Sequence, residues 1–255
     1  MRKKRIFKVI KYWIFTIVVV CLSYPSHATT EFANQIPDFT QTDIRSNYYG
    51  NGQQFCAPVA VSNSIMWLAN LEYGQVELIE KLASSNYMNT NLQNGTGTTG
   101  VLNGVDRIAR ELFGSYERLE YQGWRKHPSR FLSTSRIPQI EWVKNGISDN
   151  SAVWLNIGWY KYDSLQDEYQ RVGGHWVTVV GHHQDTLVIH DPSPRAGKTF
   201  ANEYVRVQRL SSGTLTGKKA GLPISARGFY TLNEGMHIKS SADYAIIDGA
   251  VVFEL

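Results

Sequence analysis

The spacing of apolar residues along this chain changes near residue 150. Before that point they recur three or four positions apart. From Cys56 onward, Ala57, Val61, Ile65 and Leu68 fall on one face of a helix. Pro58 fits only in the first turn, where its missing N–H has no intrahelical partner to lose. The spacing therefore predicts a helix that begins at Cys56. The stretches 75–85 (QVELIEKLASS) and 101–114 (VLNGVDRIARELFG) carry the same period, and Gly114 closes the second. Between them NGTGTTG (94–100) is rich in turn formers and lacks the Lys of a phosphate-binding loop, so it reads as structural. After residue 150 the apolar positions alternate or run together: AVWLNIGWYKY (152–162), HWVTVVGH (175–182), TLVIHDP (186–192), EYVRVQRL (203–210) and YAIIDGAVVFEL (244–255) predict strands. Helices first and strands afterwards predict an α+β fold, an N-terminal helical lobe packed against a C-terminal antiparallel β-sheet lobe. Ligand clefts form between such layers.

The N-terminus changes how the composition is read. MRKKRIFKVIKYW carries six basic residues and no acid, and the apolar run IFTIVVVCLSY (14–24) follows. Ser26 and Ala28 then supply small residues at −3 and −1 of a cut, which completes an export signal over residues 1–28. Even taken back to Val9, the apolar run has 16 residues, fewer than the ~20 that span a bilayer. Val20 precedes Cys21 where a lipidation site wants a small residue. The expectation is therefore a periplasmic or secreted protein with no stable membrane anchor. All six charges in the first 28 residues are basic, so their removal turns a formal net charge of +4 into −2. No nucleic-acid footprint survives that change. The remaining 227 residues suit one domain, 29–255, with no repeat or linker to divide it. A monomer is expected.

Cleavage also removes Cys21, which leaves Cys56 without an intrachain partner. Backbone N–H groups at a helix start stabilise a thiolate, and attack on a carbonyl then needs an imidazole and a group to orient it. GGHWVTVVGHHQDTLVIHDPSP (173–194) supplies both. His175 follows two glycines, which leave room for a substrate or a neighbouring backbone. Strand alternation puts His175 on the face of Val177 and Val179, and Asp191 on the face of Leu187 and Ile189. The loop HHQD (182–185) is short enough for a hairpin, so the two strands lie side by side. His190, adjacent to Asp191 in sequence, then points to the opposite face.

Other residues read as structure. His175, His182, His183 and His190 lack the carboxylates or thiols of a metal-ligand pattern, and the side chains at 182 and 183 point apart, so no metal and no cofactor are expected. Trp154, Trp159, Tyr160 and Trp176 suit a strand core better than a groove. Asn63 and Trp67 read as helix-packing residues.

FCAPVAVSNSIMWLA, GTGTTGVLNGVDRIARELFG and AVWLNIGWY together with GGHWVTVVGHHQDTLVIHDPSP resemble the papain-like cysteine peptidases. They are most like the bacterial branch of peptidase domains that process bacteriocin leader peptides, the double-glycine-peptidase-like family. The resemblance covers roughly residues 45–195, in the order Cys, His, Asp. It implies a papain-like fold, Cys56 as nucleophile, His175 as general base and acid, and Asp191 as the group that orients His175. The substrate it implies is a peptide or protein. Two positions depart from the pattern: Ala57 stands where the family has Gly, and Gly50 where it has an oxyanion-hole Gln. Gln54, and after it Gln53, are the amides left to fill that role. The same three residues would also serve transglutaminase-like or peptidoglycan amide acyl transfer, and an inactive peptide-binding domain is the third reading.

Overall fold

The computed structural model describes residues 30–43, 48–131, 133–196, 202–217 and 223–255. The export segment 1–28, with Cys21 and the cut after Ala28, lies outside the described residues. No described helix is long and apolar enough to cross a membrane.

The described residues form an α+β fold with four α-helices and a ten-stranded sheet. Strand β1 (Thr30–Glu31) opens the described part, followed by α1 (Cys56–Leu68), α2 (Gln75–Ala83) and α3 (Thr98–Phe113). Next come β2 (Arg118–Gly123), α4 (Ile140–Asn145), β3 (Ser151–Asp163), β4 (Glu168–His183) and β5 (Thr186–His190). The remaining strands are β6 (Glu203–Arg209), β7 (Thr214–Thr216), β8 (Ile224–Ser225), β9 (Tyr230–Glu234) and β10 (Tyr244–Glu254).

Pairing closes six strands into a ring. β3 pairs with both β4 and β10, and the path β10–β9–β6–β5–β4 completes the circuit. A closed barrel leaves no open edge within the ring. Its interior takes the inward row of each strand, including Val153, Leu155, Val177, Val179, Leu187, Ile189 and Val205, and Ile140 and Val143 of α4 join that cluster. The outward row of β3, β4 and β10 (Trp154, Trp176, Val251, Phe253) packs on α1 and α3.

Sequence and structure differ at several elements. β2 lies in the helical half of the chain yet pairs with the last strand, β10. Its segment RLEYQG alternates charged and apolar residues over only six positions, too brief a signal to name it a strand. α3 starts at Thr98, three residues before its apolar period, so the end of the Gly-Thr loop is helical. The sheet has one parallel pair, β4 with β7.

Helix α1 also departs from a one-faced amphipathic helix, because every residue from Ala57 to Met66 is buried. One side meets the sheet, where Trp154 Nε1 and Thr178 Oγ1 both donate to the Ala60 carbonyl, at 3.1 and 2.6 Å. The other side meets α2 and the N-terminal segment, with Val59 packed among Phe39, Tyr48, Phe55 and Ile79. Asn63 Oδ1 accepts the Phe39 N–H at 3.3 Å and the Gln75 side chain at 2.7 Å. The helix that begins at Cys56 is thus fixed from both sides.

Candidate active site

Cys56 is the first residue of α1 and a free, half-buried thiol. The preceding turn bends sharply: Gly50, Asn51 and Gly52 all have positive φ. At Gly52 any Cβ would drive into the Gln41 carbonyl, so this position takes only glycine. The Gln41 side chain donates to the carbonyls of Gly52 and Gln53, at 3.2 and 2.9 Å. The backbone N–H of Gln41 donates to Pro192 O at 2.8 Å. One residue of the N-terminal segment therefore ties the turn before Cys56 to the segment after Asp191.

His175 sits on the inward row of β4, 4 % exposed, opposite Ile157 of β3. Asp191 follows the last residue of β5 and is 2 % exposed. The β4–β5 register places Thr178 opposite His190, so His175 approaches Asp191 along the diagonal of the pair. His175 Nε2 donates to Asp191 Oδ1. The same oxygen accepts the Ser193 N–H at 2.8 Å. Cys56, at the start of α1, lies close enough to the His175 ring to favour its charged form. With Nε2 engaged by Asp191, Nδ1 is the ring nitrogen left to meet the sulfur. Burial alone would discharge this imidazole. The Asp191 carboxylate, and after it the nearby Cys56, outweigh it and push the His175 pKa up to about 10.

The structure thus brings His175 and Asp191 together, the pair that strand alternation puts on one face, and places Cys56 near the ring. His190 faces away: its Nδ1 meets Pro37 O at 3.1 Å and its Nε2 meets Asn202 Oδ1 at 2.8 Å. Gln53 is exposed, and its backbone carbonyl is the one Gln41 holds. Gln54 is half-buried, with its side-chain carbonyl turned toward Gly95 in the loop before α3. The space at Gly174 serves a different neighbour from those expected. A Cβ there would meet the Arg171 guanidinium, a side chain of the same strand.

Some neighbours of the site were not legible. Trp159, read as core, is buried and also stacks on His175, with ring centroids 5.7 Å apart and 23° between planes. Arg195 lies 5.5 Å over the same indole. Gln41 and Glu203 belong to segments with no motif, and no local pattern could have flagged them. Among the described residues no group of three His, Cys, Asp or Glu could hold a metal ion.

No family model matches the chain, and no curated protein is significantly similar to it. Among solved structures, one from Bacillus anthracis, provisionally described as a C39-like peptidase, aligns over 89% of this chain and 98% of its own. The TM-score is 0.42 and the identity 10%. A likeness of that strength assigns no activity.

Proposed function

We propose that this chain is an exported cysteine peptidase of papain-like type, acting through Cys56, His175 and Asp191. The observation that carries the reading is the buried imidazole held by the Asp191 carboxylate, with a free thiol at a helix start close enough to act on its charge. In this mechanism His175 takes the thiol proton and the sulfur attacks the peptide carbonyl carbon. His175 then protonates the leaving amine as the C–N bond breaks, which leaves a thioester on Cys56. Water, deprotonated by His175, cleaves the thioester and restores the thiol. Asp191 holds the ring and stabilises the imidazolium. The Cys56 N–H and the amide of Gln54, or else of Gln53, serve the oxyanion. Export rests on the basic and apolar segment before residue 29.

The test is mass spectrometry after treatment with an electrophilic cysteine-peptidase probe. Stoichiometric labelling of Cys56 in the native but not the urea-denatured protein is the expected result. Equal labelling in both states would leave a peptide-binding domain as the better reading. Product analysis with peptide and cell-wall substrates then separates hydrolysis of peptides from acyl transfer.

A further inference from the structure

At the end of β5 the backbone ladder gives way to side chains. The β5–β6 register runs from Thr186 opposite Arg206 to Ile189 opposite Glu203. Asp191 lies two residues beyond the last pair. Its N–H is buried and needs an acceptor, and Glu203 Oε2 provides one at 3.1 Å. The preceding residue, Asn202, meets the ring of His190 with its side-chain oxygen. Two consecutive residues that lead into β6 thus grip the two consecutive residues at the end of β5.

We propose that Glu203 is a positioning residue, whose carboxyl holds the Asp191 backbone so that the Asp191 carboxylate stays in register with His175. This rests on the peptidase reading above. Glu203 does not touch His175 by any hydrogen bond in the structure, and it acts through Asp191. A carboxyl suits the position only while it is uncharged, because the groups that face it are mostly acidic. Glu203 is 7 % exposed. Burial, then the charges of Asp191 and of Asp38 from the N-terminal segment, push its pKa up to about 9, and the Asp191 N–H and His175 offset this only in part. A second carboxylate charge at neutral pH would repel the one that orients the imidazole. An uncharged acceptor fixes Asp191 without that repulsion.

The experiment is the rate of Cys56 alkylation by iodoacetamide in the full chain, at pH 6 and pH 10, which needs no knowledge of the substrate. Three variants are compared with wild type. Glu203→Ala removes the acceptor, Glu203→Asp shortens it by one methylene, and Glu203→Gln keeps an uncharged carbonyl in place. At pH 6 the Ala and Asp variants should react about tenfold more slowly, the cost of leaving a buried donor unpaired and Asp191 loose. The Gln variant should stay within about threefold of wild type, since it restores the same bond. At pH 10 all four should agree within about twofold, because a thiol then ionises without an imidazolium beside it.

A uniform loss at both pH values, a Gln variant as slow as Ala, or variants that all match wild type at pH 6 would each overturn the proposal. If Glu203→Ala does not fold, Gln against Asp decides by the same criteria. Wild-type Cys56 that reacts no faster in the native than in the denatured state at pH 6 would overturn the peptidase reading itself. That outcome is distinct from one in which wild type is fast and every variant matches it.

Discussion

Two basic residues four apart on β4, Arg171 and His175, each meet a buried carboxylate, and the two sites differ in how fully that carboxylate is served. Arg171 Nε donates to Asp248 Oδ2 at 2.6 Å. Trp124 Nε1 at 3.0 Å and the Tyr160 hydroxyl donate to Asp248 Oδ1. Both oxygens of Asp248 therefore have donors from the protein. At the other site Asp191 Oδ1 takes His175 and Ser193, while Oδ2 is buried without a hydrogen-bond partner among the described residues. A fully paired buried ion holds a fold in one arrangement. An under-paired buried one is a feature found more often at working sites than in plain core. Two positions on one strand thus differ in how fully the carboxylate each meets is paired.

The sharpest way to break this contrast is to remove one member from each site. His175→Ala should reduce peptide turnover or probe acylation by roughly a thousandfold or more. Measured near pH 10, where much of the stabilising charge of His175 is gone, it should move the urea midpoint little by comparison. Asp248→Ala should do the reverse and cost about 3–5 kcal/mol of stability, since it strands the Arg171 charge in the interior. Parallel activity assays and urea titrations check both. Equal losses of stability in the two variants would erase the distinction.

A smaller effect separates the two histidines at the end of the β4–β5 pair. His190→Ala should change activity by less than about tenfold, ~1.4 kcal/mol in the barrier. Asp191→Asn should fall between that and His175→Ala, because an amide oxygen still orients an imidazole. Steady-state kinetics of the three variants give the order, and an essential His190 would reverse the assignment of the two strand faces.

The last effect, spread over the widest range of conditions, is in the pH dependence of stability. Folding raises the pKa of His175 from 6.5 to about 10 and that of Glu203 from 4.5 to about 9. In both cases the folded protein binds more protons than the unfolded chain, so these groups make stability fall as pH rises. The His175 contribution is fully present below 6.5 and is lost as pH passes through about 10. The Glu203 contribution is lost between 4.5 and about 9. Arg171, its pKa raised by Asp248 against the cost of burial, keeps its charge throughout. Glu203→Gln should accordingly gain stability over wild type as pH rises from 4.5 to 9, with no gain at the acid end. Urea midpoints across that range measure it.

Much of the candidate site was legible because strand alternation has a strict period of two. That period put His175 and Asp191 on one face and turned His190 away, and the register agrees. The place of Pro58 likewise put Cys56 at the start of its helix. What could not be read depends on distant neighbours. Nothing within RLEYQG says that it pairs with residues 249–254. The two glycines before His175 announced room, but only the fold shows that the Arg171 side chain uses it. The spacing marks one apolar face of α1, Ala57, Val61, Ile65 and Leu68, and the cover over its other side comes from Phe39, Tyr48 and α2. Gln41 and Glu203 act on backbone groups more than ten positions away, where local pattern carries no information.

The central place of β10 has a consequence for the order of events at synthesis. This strand pairs with β2, β3 and β9, so three separate parts of the sheet wait for residues 244–254. Contacts so remote in sequence form late, since the intervening chain must lose its freedom before they give anything back. Trp159, on which the His175 ring rests, lies directly opposite Ala245 in that strand. While the chain is still emerging, the thiol, imidazole and carboxylate already exist, but the ring that aligns them does not. A fragment that stops before Tyr244 holds every member of the candidate site, Trp159 included, and lacks the strand that backs Trp159.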